Sequence, residues 1–373
     1  MISRIRQLWE GRAPDDLLDM ALTVPLGLAA LGYYAGYQVR RAAYRWGLCR
    51  AVRPAVPVIS IGNLTLGGTG KTPFTLWLAD ALRRRGRRPA ILSRGYGRRE
   101  RRRGGEALVV SDGVRLRAGV HAAGDEPFFM AASLEGVPVV VARRRRLATA
   151  AAVREFAPDV LLLDDGFQHW ALDRHVNLVL WDAGIMPSAT SLFPMGSLRE
   201  PLGALRRADA LVLTRPPSSV RCDRAGQQLE RAAGRIPRWT VDFVPDGVVS
   251  LDGGSELTMP QILDTNFYAF CALARPQKFL RSLEALGITP VGWTFFGDHH
   301  WFTARDLERL TTRARARNAA ALITTAKDAV RLHELADRIT LPLYVLAIRT
   351  RFVPDEGEAE FLAWLESRIE DIG

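Results

Sequence analysis

The sequence predicts an α/β fold in which a mostly parallel β-sheet is covered by helices. Short apolar runs rich in Val, Ile and Leu alternate with helical segments, which is the pattern of repeated β-α-β units. A glycine-rich stretch follows the first apolar run directly, at a predicted strand-to-helix turn. The chain has 373 residues, 48% of them hydrophobic and 24% charged, so it is long enough for roughly two to three domains with apolar cores.

The stretch from residue 17 to residue 39 is mostly apolar and would be about 35 Å long as a helix. This stretch is weakened as a membrane-spanning segment by Asp19, Pro25 and Gln38. Arginines follow it at positions 40, 41, 45, 50 and 53, and a flank of this kind usually faces the cytoplasm. We interpret it as a membrane anchor that spans the bilayer or lies in its interface. A buried amphipathic helix is the alternative, and no removable signal peptide is predicted.

The elements that follow the anchor are predicted in two series. In the first series, β-branched runs predict strands at 56–62, 89–92, 107–110, 137–141, 160–163, 177–181 and 210–213, with helices at 72–85, 126–134 and 144–156. In the second series, strands are predicted at 267–273, 290–295, 321–324 and 343–348, with helices at 276–286, 304–316 and 358–369. Between them, 216–254 is richer in Pro, Gly and polar residues and is interpreted as a boundary with its own helix and strand.

These patterns predict four segments. Residues 1–52 form an N-terminal membrane-associated helical segment, and 53–216 form the core domain. Residues 217–266 form a linker with β structure, and 267–373 form a smaller C-terminal α/β domain.

The net charge of +11 is concentrated, because 83–103 holds 11 arginines and a single acid. Such a run is typical either of a surface that docks phosphates, from nucleic acid, anionic lipid or nucleotide, or of a solvated helix end and loop. Of the 51 cationic side chains only Lys71, Lys278 and Lys327 are lysines. Three widely separated cysteines argue against a disulfide framework or a zinc site and favour a reducing compartment.

The glycine-rich stretch has the chemistry of a phosphate-binding loop. Its glycines let backbone N–H groups converge on phosphate oxygens, and the next helix presents its positive N-terminus. Lys71 would reach the β- and γ-phosphates, and Thr72 would offer its hydroxyl to Mg²⁺. The predicted ATP-binding residues are Thr65, Leu66, Gly67, Gly68, Thr69, Gly70, Lys71 and Thr72. Thr65 stands where the strict pattern has glycine. The loop makes the predicted fold P-loop NTPase-like.

A second run of the sequence supplies acids for a metal. Residues 160–163 are apolar and are followed by Asp164 and Asp165, which places two carboxylates at the carboxyl edge of the sheet beside the phosphate loop. Mg²⁺ in phosphoryl-transfer sites is held by such a strand-end acid. We therefore predict Mg²⁺ at Asp164 and Asp165, although two acids at a strand end can also be a simple cap.

A series of motifs resembles one family over nearly the whole chain. The series consists of Val58 to Pro73, Leu92-Ser93-Arg94-Gly95-Tyr96-Gly97, Gly124-Asp125-Glu126-Pro127, Asp164-Asp165-Gly166-Phe167-Gln168-His169, Leu198-Arg199-Glu200-Pro201 and Asp298-His299-His300. In this order the motifs resemble tetraacyldisaccharide 4'-kinase, and Thr65 agrees with that family's version of the loop. The resemblance implies transfer of the ATP γ-phosphate to the 4'-hydroxyl of a tetraacyldisaccharide 1-phosphate, giving lipid IV-A.

The resemblance also implies roles for particular residues. Asp125 would be the catalytic base, coupled to His299, and Lys71 would act on the transferred phosphate. Glu200 would be a further Mg²⁺ or nucleotide-site carboxylate. The motif positions near the expected substrate are Ser93, Arg94, Tyr96, His169 and Arg199. Without the resemblance, Asp125 could merely cap a helix, and His299 could be a core histidine.

Two other functions fit parts of the sequence. A P-loop ATPase acting on nucleic acid would explain the arginine run, but an aromatic-interleaved single-strand surface is missing from the sequence. A GTPase-type switch would need a guanine-specifying Asn-Lys-x-Asp run, and the chain reads Thr-Ala-Lys-Asp at 325–328. We therefore expect a lipid substrate and an anionic membrane surface as partners, no nucleic acid, and a location at the cytoplasmic face of a bacterial inner membrane.

Overall fold

The computed structural model describes residues 17–98, 106–215, 219–251, 255–273 and 276–370. The last residues of the arginine-rich run, 99–103, lie outside this part of the chain.

The strands are β1 (Val58–Asn63), β2 (Pro89–Ser93), β3 (Leu108–Ser111), β4 (Val139–Val141), β5 (Val160–Asp164), β6 (Val176–Asp182), β7 (Ala210–Thr214), β8 (Arg238–Ser250), β9 (Phe267–Cys271), β10 (Gly292–Phe295), β11 (Ala321–Thr325) and β12 (Leu343–Phe352). The α-helices are α1 (Leu17–Arg45), α2 (Lys71–Arg84), α3 (Val120–Ala123), α4 (Asp125–Ser133), α5 (Arg145–Phe156), α6 (Ser219–Ala233), α7 (Met259–Asp264), α8 (Pro276–Glu284), α9 (Ala304–Arg315), α10 (Ala326–Leu332) and α11 (Gly357–Glu370). Short 3-10 helices cover Pro187–Ala189, Leu202–Arg207 and His333–Arg338.

The strands of the described residues form one sheet in the order β10-β9-β11-β12-β8-β7-β6-β1-β5-β2-β4-β3. Neighbouring strands are parallel except for β3 with β4 and β8 with β12. β1 lies between β5 and β6 and is buried along its whole length. Helices that cover both faces of a parallel sheet require strands that are apolar throughout, and this explains the continuous apolar runs. The predicted α/β class with a P-loop NTPase-like core is confirmed.

β8 joins the two halves of the sheet. It pairs parallel with β7 and antiparallel with β12, so the sheet continues from the N-terminal half (β1–β7) into the C-terminal half (β9–β12). This strand lies in the segment that the sequence analysis interprets as a linker, and the four predicted segment boundaries remain predictions. An aromatic cluster of Phe74, Trp77, Phe352 and Phe361 packs α11 against α2.

Most predicted elements are present, and their ends differ where long-range pairing decides them. β12 continues to Phe352, four residues past its predicted end, because β8 supplies a partner along that stretch. α1 is one helix that continues to Arg45, beyond the apolar stretch. None of the helices in the described ranges combines the length and the apolar character that crossing a bilayer requires.

Candidate active site

The phosphate-binding loop connects β1 to α2 at the carboxyl edge of the sheet. Gly70 precedes α2 with a φ of +84°, and a Cβ there would collide with the ring of Phe243, so only glycine fits. The loop is tied to neighbouring segments, because the Thr214 hydroxyl donates to the Thr69 carbonyl at 3.0 Å. The N–H of Leu66 donates to the carbonyl of Ser197 at 2.7 Å. The loop is therefore held in shape by the protein itself.

Lys71 begins α2, and its amine points back to the ends of two strands. Nζ donates to Asn63 Oδ1 at 3.0 Å and lies 3.4 Å from Asp165 Oδ1. Its side chain is 14% exposed. The cation is thus fixed between the end of β1 and the end of β5, beside the loop that would carry the phosphates.

The two acids that follow one another along the chain have opposite environments. Asp164 is 4% exposed, and its Oδ1 has no hydrogen-bond partner. Burial, together with the nearby charges of Glu126 and Asp165, raises the pKa of Asp164 to about 7. Burial would also raise the pKa of Asp165, but Lys71 and Arg199 outweigh it and lower that pKa to about 2. Arg199 Nη1 donates to both oxygens of Asp165 at 3.0 and 2.9 Å.

This arrangement fits a Mg²⁺ ion. Within the described ranges, no group of three or more His, Cys, Asp and Glu side chains could hold a metal by itself. Mg²⁺ in kinase sites is commonly bound by one or two carboxylates together with substrate phosphates and water. The unpartnered Oδ1 of buried Asp164 is the atom that such an ion would satisfy, and the hydroxyl of Thr72 at the start of α2 is a second candidate ligand.

The environment of Asp164 yields the first prediction, on Asp164→Asn. We expect this change to lower kcat by about 10²-fold or more, because a lost metal ligand removes charge stabilisation. The same change should raise the melting temperature without Mg²⁺ by about 2 °C or more at pH 8. The folded pKa of Asp164 lies above its ordinary value of 3.8, so the free energy of unfolding falls as the pH rises toward about 7.

An asparagine is neutral at every pH and avoids that loss. The gain in melting temperature should therefore be larger at pH 8 than at pH 5, as calorimetry at both values would measure. The matched control is Glu135→Gln, an exposed acid in the same half of the sheet. An unchanged or lower melting temperature for Asp164→Asn at pH 8 would contradict the account of its burial.

Asp125 and His299 meet between the two halves of the sheet. Asp125 begins α4 and is 4% exposed, and His299 lies in the loop after β10 with a left-handed φ of +58°. The His299 Nδ1–H donates to Asp125 Oδ2 at 2.8 Å. Burial would raise the pKa of Asp125, but the hydrogen bonds from His299 and Arg331 and the charge of Lys327 outweigh it and hold that pKa well below its usual range.

His300 is directed elsewhere. Its Nε2 contacts Asp306 at 3.1 Å, and its ring stacks on Phe296. The geometry therefore supports His299, rather than His300, as the partner of Asp125.

Comparison with known proteins gives the family. Residues 22–370 match the family model described as tetraacyldisaccharide-1-P 4'-kinase. The chain belongs to this family. The kinase of Desulfotalea psychrophila is 38% identical over 348 residues, which cover 91% of this chain and 96% of that one. The kinase of an Anaeromyxobacter strain, Fw109-5, is 41% identical over 338 residues, which cover 89% and 88%.

A solved structure of the same family shares the fold. It is the crystal structure of LpxK from Aquifex aeolicus in complex with ATP, which is 30% identical with a TM-score of 0.74 and covers 94% of this chain and 99% of that one. The chain is therefore an ATP-dependent kinase of the tetraacyldisaccharide 4'-kinase family.

Not every predicted site residue of this kinase lies with the two acids. Glu200 is 3% exposed and pairs with Arg207 rather than with Asp164 or Asp165, so its predicted metal role lacks support from this geometry and stays a prediction. Burial raises the pKa of Glu200 despite the arginines around it. His169 lies among arginines, and burial followed by the charges of Arg145 and Arg174 lowers its pKa to about 4.

The remaining predicted substrate residues lie where β2 ends. Ser93 is buried, Arg94 is exposed, and Tyr96 is 72% exposed, so Tyr96 has no packing role that would explain its position. The structure brings these residues to the carboxyl edge of the sheet that also carries the phosphate loop.

The sequence analysis missed three charged side chains of the site. Arg331 and Lys327 come from α10 and contact Asp125 and Glu126. Buried Arg145 donates to the carbonyl of Asp164 at 3.1 Å. Lys327 could have been found from the scarcity of lysine, whereas one arginine among so many carries no such signal.

Proposed function

We propose that this chain transfers the γ-phosphate of ATP to the 4'-hydroxyl of a tetraacyldisaccharide 1-phosphate and so forms lipid IV-A. The observation that carries the proposal is the Asp125–His299 pair, which lies close to the phosphate loop. Glu126, the next residue after Asp125, is near enough to Asp164 for its charge to raise the pKa of Asp164. The charge of Lys71 also acts on Asp164 and lowers that pKa. These charge interactions support the proposal that the base and the phosphate-binding cation belong to one site.

The transfer would proceed as an in-line displacement. The sugar oxygen forms a bond to the γ-phosphorus, the bond from that phosphorus to the β,γ-bridging oxygen breaks, and ADP leaves. The proton of the hydroxyl passes to the Asp125–His299 pair, where His299 supports the carboxylate as the proton arrives. Lys71 neutralises charge on the transferring group. Bound Mg²⁺, held by Asp164 and Thr72, would neutralise further charge on the phosphates.

The substrate would be held by the side chains around the end of β2 and the motif that follows β5. We assign Ser93, Arg94, Tyr96, His169 and Arg199 to this surface. Arg94, Arg145 and Arg174 together make the surroundings of His169 cationic, which suits a phosphorylated glycolipid better than a neutral one.

The acceptor position is tested with a blocked substrate. The protein is incubated with Mg-ATP and either tetraacyldisaccharide 1-phosphate or its 4'-O-methyl derivative, both in detergent micelles. We expect phosphate transfer to the free compound alone. Equal transfer to the blocked compound would place the acceptor elsewhere and contradict the proposal.

We further propose that α1 lies in the interface of an anionic membrane at the cytoplasmic face of the inner membrane. Val24, Leu28 and Leu31 are each about two-thirds exposed and are spaced four and three residues apart, so they form an apolar stripe on one side of the helix. Farther along, α1 is fixed to the core, because the Tyr33 hydroxyl donates to the Arg199 carbonyl at 2.7 Å and Arg40 donates to the Gln168 carbonyl at 3.1 Å. An interfacial helix would thus carry the site to a lipid substrate.

The second prediction tests this stripe with Leu28→Glu/Leu31→Glu. We expect binding to vesicles that contain anionic lipid to fall by about tenfold or more, because two apolar side chains are lost from the contact. Turnover of micellar substrate should change much less. The control is Val114→Glu, which alters an exposed apolar residue in a loop of the core. Equal vesicle binding by the two variants, measured by sedimentation, would remove α1 from this role.

A further inference from the structure

Arg331 is buried where the two halves of the sheet meet. Its side chain is 1% exposed and lies between two carboxylates. Nη2 donates to Asp125 Oδ2 at 2.8 Å, and Nη1 donates to Asp328 Oδ1 at 3.2 Å. Asp328 is itself fixed, because it accepts from the Thr325 hydroxyl at 2.7 Å and from the Ala272 N–H at 3.1 Å. The guanidinium is therefore anchored in the C-terminal half and reaches Asp125 in the N-terminal half.

The same side chain also contacts the loop that carries His299. Nη1 donates to the carbonyl of His300 at 3.3 Å, and Nη2 lies 3.3 Å from His299 Nδ1. His299 has a left-handed φ, a conformation that is uncommon for a residue other than glycine. Arg331 thus touches both the carboxylate and the loop that brings the imidazole to it.

We propose that Arg331 is a positioning residue for phosphoryl transfer, which orients the Asp125 carboxylate and the His299 loop so that the two side chains pair. This inference rests on the proposed role of Asp125 as proton acceptor. Arg331 acts through Asp125, whose Oδ2 it contacts. A planar guanidinium suits the task, because its fixed donors can engage two carboxylates and a carbonyl at once.

A second ion pair lies beside this one and provides a comparison. Lys327 stands one helical turn before Arg331 and contacts Glu126, the residue after Asp125, at 2.6 Å. Both side chains of that pair are roughly 30% exposed, with values of 28% and 32%, whereas those of the Arg331–Asp125 pair are almost fully buried. Exposed pairs contribute little, and truncating one member of a buried pair has a large effect. Lys327→Gln is therefore expected to lower kcat by a smaller factor than Arg331→Gln does.

The test uses the full chain and combines Arg331 variants with Asp125→Asn. We expect Arg331→Gln to lower kcat by about tenfold or more, with the KM for ATP within about twofold, and Arg331→Lys to retain more activity than Arg331→Gln. In the Asp125→Asn background, Arg331→Gln should change the residual kcat by less than about twofold, because a residue that acts through Asp125 has nothing left to position.

The pH dependence of kcat is a second readout. The charged groups that face Asp125 are His299, Lys327 and Arg331. Loss of the arginine removes one cation from beside an ionised carboxylate, so the acidic limb of the profile should move to higher pH in Arg331→Gln. Arg331→Lys keeps a cation beside the carboxylate and should move the limb less than Arg331→Gln does.

Folding is controlled separately. Arg331→Gln leaves two buried acids without their cation, so Asp328→Asn/Arg331→Gln is made in parallel, and Arg349→Gln, at an exposed ion pair, is the matched control. The inference is overturned if the folded Arg331 variants keep kcat within twofold of the parent. It is also overturned if Arg331→Gln has the same fold effect with and without Asp125. Near-normal turnover of Asp125→Asn alone would instead remove the proposed role of Asp125, which distinguishes the two failures.

Discussion

Replacement of Lys71 by alanine is expected to lower kcat by about 10³-fold, because it removes the cation that would stabilise charge on the transferring phosphate. The amine is held beside the phosphate loop by Asn63 and Asp165. Within the described part of the chain, its side chain has no further hydrogen-bond or ion-pair partner, so the variant should fold and melt within about 2 °C of the parent.

The rate is measured with saturating Mg-ATP and micellar lipid substrate. Arg88→Ala is the control, since it removes a cation from an exposed pair with Asp159 in the same half of the sheet. Lys71→Arg should also be slow, because a wider guanidinium does not replace the compact ammonium. If Lys71→Ala kept a tenth or more of the parent kcat, the assignment of the loop to the transferred phosphate would be wrong.

Asp125→Asn is expected to lower kcat by about 10²-fold or more, while the KM for ATP stays within about threefold. An asparagine keeps the shape of the side chain but cannot accept the proton, and general-base catalysis typically contributes about 10²- to 10⁴-fold. His299→Ala should give a loss of similar size, and the two changes together should cost little more than either alone, because the residues act as one unit.

The low pKa of Asp125 in the free protein bears on this result. His299, Arg331 and Lys327 keep the carboxylate ionised, so the form that can accept a proton is the one present over the physiological pH range. Glu135→Gln, at an exposed acid, should leave kcat unchanged. A kcat for Asp125→Asn within about threefold of the parent would show that the proton leaves by another route.

Local patterns were sufficient for the phosphate loop and for the paired acids. The loop, its lysine and Asp164-Asp165 each lie within a few residues of a strand end, so the strand pattern and the residue types together predict where they fall. The order of the strands in the sheet depends on contacts between distant segments, and the unpredicted length of β12 shows this directly.

The Asp125–His299 pair could not be found from spacing. The two residues are 174 positions apart, and only the family resemblance joined them. Arg331 was missed because nothing in its neighbourhood along the chain marks it, while its burial between two acids is a property of the folded state alone. Glu200 is the opposite case. Its motif suggests a metal ligand, but the 3-10 helix at Leu202–Arg207 places the Arg207 guanidinium in contact with the Glu200 carboxylate.

The scarcity of lysine proved informative for the site. Lys71 lies at the phosphate loop and contacts Asp165. Lys278 and Lys327 lie in the C-terminal half and pair with Asp182 and Glu126, respectively. All three lysines therefore engage acids of the N-terminal half.

The central claim is that this chain phosphorylates the 4'-hydroxyl of an acylated disaccharide. The most direct measurement is incubation of the purified protein with Mg-ATP and tetraacyldisaccharide 1-phosphate in detergent micelles, followed by phosphorus NMR and mass spectrometry of the lipid. The account predicts one added phosphate, at the 4'-position, and its absence with Lys71→Ala. An unmodified lipid, together with ATP hydrolysis stimulated by nucleic acid, would contradict it.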